Sequence, residues 1–411
     1  MSCCDTSDLM PVKAAITALL EQTHSINQAE SVLLQDALHR ITAADIHSPI
    51  NVPAFDNSAM DGYAVRIADL KHSMTLTLAG KSMAGCPFEG DWPAGSCIRI
   101  MTGAVVPLGA NAVVMQEKVV VDGDKVTFSS LPPVNANIRP VGDDVKQGDK
   151  VLPKGSLLTV REMPLLASLG IAKLEVQKKV KVAFFSTGDE LRQVGEPLKQ
   201  GQIYDSNRYT IQTWLSQMHC EPIDLGVIAD NKAALKAAFL QAAAQADLII
   251  TSGGVSVGEA DFTKEVLAEE GQINFWKLAI KPGKPFAFGN IQNTLFCGLP
   301  GNPVSALVTL HVLVQPLLAK LAGHSEWQPT PAIPAITTTA FKKTPGRTDY
   351  QRAFYQVNAQ GQLVVSGLSN QSSGAFSSMT RANCFAILEQ QRGAISIGET
   401  IMIEPFDSKL N

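Results

Sequence analysis

Two lysines set in a Pro-Gly frame, Lys281-Pro-Gly-Lys284-Pro285, are the side chains in this sequence best spaced to grip a small oxyanion. Proline stiffens one side of the turn and glycine frees the other, so a short loop presents two ammonium groups together. Carboxylates gather elsewhere: Asp189 and Glu190 after Thr187-Gly188, Asp205, Asp230 after an apolar run, and Glu259 and Asp261 after Ser252-Gly253-Gly254-Val-Ser-Val-Gly258. Oxygen donors without thiols suit Mg2+, which bridges carboxylates and substrate phosphates. The Ser252–Gly258 turn can offer successive backbone N–H groups to a phosphate, although glycines in such turns also serve simply to reach positive φ. A fourth loop, Gly298-Leu-Pro300-Gly-Asn-Pro303, precedes Ser305. Micromolar oxyanion binding needs about 8 kcal/mol. A helix N-terminus supplies about 0.3–1 kcal/mol and each hydrogen bond to a charged group about 1.5–3 kcal/mol, so lysines are needed beside any helix end.

Each of these features has a plainer reading. The lysines can be solvated surface groups, Asp261 a helix cap, and Asp205-Ser-Asn-Arg208 a turn before a helix. Asp56-Asn-Ser-Ala-Met-Asp61-Gly-Tyr63 packs two acids, an amide and a hydroxyl into one loop; a tight Asx-turn explains part of that density and a site contribution explains it better. The sequence lacks the P-loop pattern and the dinucleotide Gly-x-Gly-x-x-Gly spacing, and its seven histidines form no Ser/His/Asp or Cys/His constellation.

The elements that must hold these loops are legible around them. Runs at Val180–Phe185, Ile223–Ile228, Asp247–Thr251, Ile273–Ile280 and Thr294–Leu299 read as strands. Between them lie a helix capped by Ser206 and running to about Met218, a helix over Lys232–Gln245, one capped by Asp261, and one starting at Asn302-Pro303. Alternating strands and helices predict a parallel sheet covered on both faces, with ligands at the carboxyl ends of its strands, which is where the four loops fall. The fold class is therefore multidomain α/β and β. An α/β domain is expected over 178–326 and an inserted β-rich domain over 51–145, with short runs at Ile98–Met101, Ala112–Met115 and Lys118–Val121 and a loop over 131–144. A discontinuous helical domain is expected over 1–50 and 146–177, opened by a helix around Leu9–Leu20 and closed by one with a Thr159/Glu162 capping box. A Pro/Thr-rich connector over Gln328–Thr339 leads to a C-terminal β-barrel within 327–411, with strands at Val364-Val365, Ala386–Leu388 and Thr400–Ile403.

Composition narrows the function classes. With 45% hydrophobic and 18% charged residues the chain reads as globular, and a net charge of −4 gives no general reason to bind nucleic acid or an anionic membrane. No secretory signal is visible, and the seven cysteines are odd in number and contain no Cys-x-x-Cys, so a reduced cytoplasmic setting is expected rather than a disulfide framework or zinc knuckle. Cys3 and Cys4 can be a metal pair or incidental. Pro303–Ala319 carries no formal charge, but Ser305, Thr309, His311, Gln315 and Pro316 interrupt it, so it reads as a buried helix rather than a membrane span.

Taken together, ordered segments of the chain closely resemble the molybdopterin molybdenumtransferase family, the bacterial MoeA type that also includes the E domain of gephyrin. They are Phe55–Val65, Arg99–Ala104, Val113–Glu117, Ser186–Glu190, Ile203–Arg208, Ser252–Asp261, Lys277–Phe286 and Gly298–Ser305, continuing more weakly through Thr344–Arg347 and Asp349–Arg352. The resemblance implies an α/β domain of the molybdopterin-binding type. It also implies a homodimer in which each active site joins the α/β domain of one subunit to the β-rich domain of the other. The implied reaction takes molybdopterin-AMP, Mg2+ and molybdate and releases AMP as molybdenum joins the dithiolene.

By the same resemblance Glu190, Asp230 and Asp261 serve the metal and phosphate side, with Ser252, Gly253, Gly254, Pro300 and Pro303 at the substrate. Lys277, Lys281, Lys284, Pro285, Ser305, Arg352 and Ser373 line the molybdate side, and Asp61, Thr102, Arg139 and Asp144 come from the β-rich domain. Ser373 is one of four serines, with Ser372, Ser377 and Ser378, around Gly374. A contact with the molybdopterin-adenylating enzyme is compatible with this reading. Two rivals are a nucleotide hydrolase of the competence-damage type, which shares the Gly-Gly-Val-Ser turn but lacks the β-rich domain, and a structural scaffold such as gephyrin became.

Overall fold

A computed structural model of the chain describes residues 9–254 and 262–406. Glu259 and Asp261, the helix cap expected at Asp261, and Cys3 and Cys4 lie outside the described residues.

The sheet that carries the strand-end loops has six strands. In spatial order they are Glu221–Ile228, Lys181–Thr187, Leu248–Ser252, Thr294–Leu299, Pro285–Ile291 and Gly271–Lys277. The first four are mutually parallel, as the alternation with helices predicts. The last two form an antiparallel hairpin at the edge, and the strand over Pro285–Ile291 was not anticipated. Side chains alternate across the sheet: Val182 and Phe184 join one core with Ile211, Leu215 and the helix from Pro303, while Ala183 and Phe185 join another with Leu235, Phe239 and Val266. Both faces are thereby covered, and only the strand ends remain for loops.

The helix that follows Asn302-Pro303 runs to Leu321 and changes to a π-type turn over Leu310–Val314. Pro316 explains the change. Its ring clashes with the carbonyl four residues back and it lacks an N–H, so the wider turn relieves the ladder there. The window is long and apolar enough to cross a membrane, but 72% of it is buried within the protein, as expected of a core helix.

Two expectations need correction. The first helix, Val12–Gln22, does not belong with the segments over 146–177; it buries Ala15 and Leu19 in the α/β core, and the Ile26 N–H donates to the Leu321 carbonyl at 3.0 Å. The remainder of the supposed helical domain is built largely of antiparallel ribbons, Ala29–Leu33 with Lys173–Gln177 and Ile46–His47 with Lys150–Leu152, around one short helix, Glu162–Ser168. The period-two signal was present: Lys173-Leu-Glu-Val176 buries Leu174 and Val176 and exposes Lys173 and Glu175. Only half of the capping box forms, since Glu162 accepts both the Thr159 N–H (2.8 Å) and the Thr159 hydroxyl (2.6 Å). Likewise Asp205, not Ser206, caps the helix over Ser206–Gln217, its Oδ1 accepting the Arg208 N–H at 3.1 Å.

The inserted region forms its own six-stranded sheet, and part of the expected loop over 131–144 pairs as Ile138–Arg139 with Asn57–Ser58. The C-terminal strands close into a five-stranded barrel. Its first strand, Ile333–Thr337, lies inside the stretch read as a connector, where Ala335 and Thr337 point inward.

His39 and His219 stack across the junction between the ribbon region and the α/β domain, with ring centroids 4.0 Å apart and planes within 4°. Burial first, then the neighbouring His39 and Lys179, pushes His219 down to about 4 from 6.5. The unfolded chain therefore takes up a proton near pH 6.5 while the folded protein refuses it until about pH 4, so stability falls as pH drops through that window. His219 sits at φ 55°, a conformation asparagine tolerates. His219→Asn is expected to lose less stability than the parent between pH 7 and pH 5, by about 1 kcal/mol after allowing for solvent screening. Urea melts at the two pH values measure this; equal losses would remove His219 from the acid response.

Candidate active site

The four parallel strands end at one level. Ser186 pairs with Ser252, Ser252 with Leu299, and Thr187 with Ile228. The loops Gly188–Glu190, Ala229–Asp230, Gly253–Gly254 and Pro300–Asn302 therefore leave the sheet along one edge. Asn207, in the first turn of the helix over Ser206–Gln217, ties two of them together: its Nδ2 donates to Ser252 Oγ and to the Gly301 carbonyl, both at 2.7 Å. The turn after Ser252 demands glycine. A Cβ on Gly253 would lie 2.7 Å from the Thr187 carbonyl oxygen and one on Gly254 would lie 2.5 Å from Thr263 Oγ1, and both residues have positive φ.

Polar atoms collect at this edge with nothing to bond. Ser186 Oγ, Thr187 Oγ1, Thr251 Oγ1, Thr263 Oγ1, Asn207 Oδ1 and Asp205 Oδ2 are buried and have no hydrogen-bond partner among the described residues. An unpaired buried polar group costs about 1–3 kcal/mol, and folded proteins keep few of them. Among the described residues, six beside one set of strand ends make this the polar edge of the sheet.

The acidic side lies at the outer strands. Burial, and then the negative charges of Asp189 and Glu190, hold the Asp230 carboxyl above its ordinary value. Glu190 folds back so closely that a Cβ on Gly188 would meet its carboxylate at 2.6 Å. Among the described residues no three His, Cys, Asp or Glu side chains converge as a finished metal site.

The cationic side is one loop. Lys277 pairs with Pro285 across the edge hairpin, and the Leu278 N–H donates to the Lys284 carbonyl at 2.8 Å, so Lys277, Lys281 and Lys284 share a closed turn. Gly283 lies beside the helix from Pro303, where a Cβ would come 3.6 Å from the Ser305 carbonyl oxygen and from Thr309. The barrel arrives at the same place, where the Val304 N–H donates to the Ser373 carbonyl at 3.0 Å. Arg352 is buried and already engaged, its Nε donating to Ser378 Oγ (3.0 Å) and its Nη2 to the carbonyls of Asn370 (3.2 Å) and Ser372 (2.9 Å). It braces the loop that carries Ser373. Of the neighbouring serines, Ser378 is spent on Arg352 and on the Ala375 carbonyl.

In the inserted domain Asp61 Oδ1 accepts both the backbone N–H and the hydroxyl of Thr102 at 2.7 Å. Those two bonds, the backbone one first, hold the Asp61 carboxyl below its usual range. Gly62 is required beside it, because a Cβ there would lie 2.0 Å from the Val114 carbonyl oxygen. Arg139 pairs with Asn57, and Asp144 returns to Val52 through its N–H at 3.0 Å. Arg139 and Asp144 are both exposed. Within one chain, no hydrogen bond or ion pair among the described residues joins this cluster to the α/β loops. Sequence reasoning missed Asn207, the hydroxyls of Thr187, Thr251 and Thr263, and two barrel residues, Asp349, which reaches Lys281, and Lys343, which reaches Asp349. Thr187, Asn207 and Asp349 stood inside segments already singled out.

Comparison with known proteins agrees along the whole chain. Residues 10–170 match the MoeA N-terminal region (domains I and II), 183–320 a probable molybdopterin binding domain, and 334–406 the MoeA C-terminal region (domain IV). A molybdopterin molybdenumtransferase of Haemophilus influenzae is 57% identical over 98% of this chain and all of its own length. One from a Nostoc species is 33% identical over 94% of this chain and 90% of its own. The molybdopterin biosynthesis MoeA protein of Pyrococcus horikoshii superposes with a TM-score of 0.84 at 29% identity, over 97% of this chain and all of that one.

Asn207→Ala removes both bonds that tie the strand-end loops. It is expected to lower the stability of the α/β unit by about 2 kcal/mol and to cut turnover at least tenfold. Urea melts followed by the fluorescence of Trp214 and Trp276, which pack on that core, read the first effect; unchanged stability and turnover would deny Asn207 this role.

Proposed function

Because this chain belongs to the MoeA family of molybdopterin molybdenumtransferases, we propose that it inserts molybdate into adenylylated molybdopterin and releases AMP. It is an enzyme of molybdenum-cofactor synthesis, and insertion of molybdenum into molybdopterin is its reaction. The form of the substrate, the metal and the division of labour are part of the proposal. The observation that supports them is a strand edge whose polar atoms have no partner among the described residues, set between an acidic cluster and a three-lysine loop.

Ser252, Gly253 and Gly254 approach the phosphates with backbone, with Pro300 and Pro303 shaping the adjoining loop. Glu190 and Asp230, with Asp261, hold Mg2+. The donors there are all oxygen, and a dication relieves both the burial and the repulsion from Asp189 and Glu190 that raise Asp230. Magnesium, when bound, neutralises phosphate charge as AMP departs. Lys277, Lys281 and Lys284, with Pro285, Ser305 and Ser373, grip molybdate, and Arg352 holds the Ser373 loop in place. Orientation of the two substrates along one edge supplies much of the rate enhancement.

Asp61, Thr102, Arg139 and Asp144 complete the site from a second copy, making the enzyme a homodimer. Phe55, Met60 and Val141 around that loop are 44%, 42% and 45% exposed, an apolar rim suited to an interface. A cytoplasmic location and hand-over from an adenylating partner go with this reading.

Purified protein is expected to release AMP from molybdopterin-AMP and Mg2+ only when molybdate is added, giving a product that activates a molybdenum-free apo-enzyme. No release from folded, dimeric protein would overturn the adenylylated substrate. Lys281→Ala, at a half-exposed side chain, is expected to fold normally and to need at least tenfold more molybdate; parent-like molybdate dependence would remove Lys281 from the oxyanion site. A fully active monomer in light scattering would rule out the shared site.

A further inference from the structure

We propose that Asp349, a buried barrel residue, is a positioning residue that aims Lys281 at the oxyanion, with Lys343 and Gln351 holding Asp349 in turn. The proposal deepens the molybdate reading above and rests on it.

The backbone brings the two together. Ile280-Lys281 runs parallel to Thr348-Asp349 at the rim of the barrel sheet, with Lys281 and Asp349 as direct partners. The Thr348 N–H donates to the Ala279 carbonyl at 2.8 Å. The loop that carries the lysines is thus locally an extra strand of the barrel. Lys281 Nζ lies 3.5 Å from Asp349 Oδ2, and the exposures differ sharply, 48% for the lysine side chain against 2% for the aspartate. An exposed lysine with four rotatable bonds samples many directions. A buried carboxylate at its base removes most of them.

Asp349 can do this because it cannot move. Lys343 Nζ, with 0% side-chain exposure, stands 3.7 Å from Asp349 Oδ1. Gln351 Nε2 donates to Asp349 Oδ2 at 3.2 Å and to the Lys342 carbonyl at 2.8 Å. Lys343 is itself pinned, donating to the carbonyls of Thr344 (2.9 Å) and Arg347 (2.5 Å). The pin, the carboxylate and the exposed ammonium form a line from barrel interior to site.

The charges also fit the task. A lone Asp349 would cancel Lys281 and leave nothing for an oxyanion. With Lys343 behind it the triad sums to one positive charge, and since Lys343 is enclosed, that charge is presented at Lys281. Burial draws Lys343 below its ordinary lysine value while Asp349 acts against that, so the aspartate supports the charged form of Lys343. Asp349 is too enclosed to touch substrate, so its effect passes through Lys281.

Removing the carboxylate has two opposed consequences. Lys281 loses its direction, which weakens oxyanion binding, and a negative charge disappears, which favours it. The second is opposed at Lys343, whose charged form burial disfavours and Asp349 had supported. Loss of direction therefore wins.

The test is a double-mutant cycle on the molybdate dependence of AMP release by the purified full-length enzyme. Asp349→Asn is expected to raise the molybdate KM about tenfold with kcat within twofold. In a Lys281→Ala background the same change is expected to add less than twofold, because the residue it acts through is gone. Gln351→Met, which keeps bulk and adds no buried charge, is expected to move KM the same way by about threefold, and it serves if Asp349→Asn does not fold. Multiplying effects in the Lys281→Ala background, a fall in KM, or loss confined to kcat would each overturn the proposal. Absence of molybdate-dependent release from the parent enzyme would instead overturn the function on which it rests, and that result is read before any variant.

Discussion

A single segment, Lys277 to Lys284, must satisfy its backbone hydrogen bonds in several directions at once, and much of the architecture follows from that requirement. The Lys277 carbonyl accepts the Met10 N–H, the Ala279 N–H donates to the Met10 carbonyl, the Ala279 carbonyl accepts the Thr348 N–H, and the Leu278 N–H closes on Lys284, each at 2.8 Å. Buried peptide groups are costly when unpaired, so this stretch cannot shift unless the chain start, the sheet edge and the barrel shift with it. The three lysines therefore stand on a loop tied to the chain start, the sheet edge and the barrel. A rigid mount is what a small oxyanion needs, since it offers few contacts over which an error in position could be averaged.

The rest of the site sorts by charge along the edge. Carboxylates sit beyond the outer parallel strands, lysines at the opposite hairpin, and hydroxyls and glycines between them. A chain with net charge −4 has no general attraction for an anionic substrate. It must build one locally, and it does so where sheet topology changes from parallel to antiparallel. The alternation that buries Phe184 on one face and Phe185 on the other also sends Ser186 and Thr187 to opposite sides as the strand ends. Polar atoms thereby bracket the edge from both faces without a separate scaffold.

Much of this was legible in the residues. The parallel strands stand out because they are buried on both faces and read as apolar runs between glycine-rich turns, and the loops that follow them carry unusual densities of Gly, Asp and Lys. The edge hairpin was not legible, because Pro285–Ile291 begins with proline and contains Gly289, both of which argue against a strand until Gln272 is seen to leave room only for glycine there. The ribbons over 29–33 and 173–177 were misread as helical because each half is short and its partner lies more than a hundred residues away. Arg352 was legible as important but not as a brace, since burial and partners are properties of the packed barrel. Asp349 stood in a matching segment but gave no sign of its partners, and Lys343 carried no signal: an aspartate three residues before an arginine says nothing of a lysine on another loop.

Those two residues bear on why an α/β unit with its own ligand edge carries a barrel. The barrel contributes no strand to the six-stranded sheet, yet it reaches the site twice, through Asp349 at Lys281 and through the Arg352-braced loop at Val304. Both contacts fall on the cationic half of the edge and neither on the acidic half. An α/β unit alone would keep its glycine turn and its carboxylates, and with them the means to hold a phosphate. It would leave the lysines on an unsupported hairpin, free to turn toward solvent. On this argument the barrel is the part of the chain that converts a phosphate-binding edge into one that also orients a second, smaller oxyanion beside it.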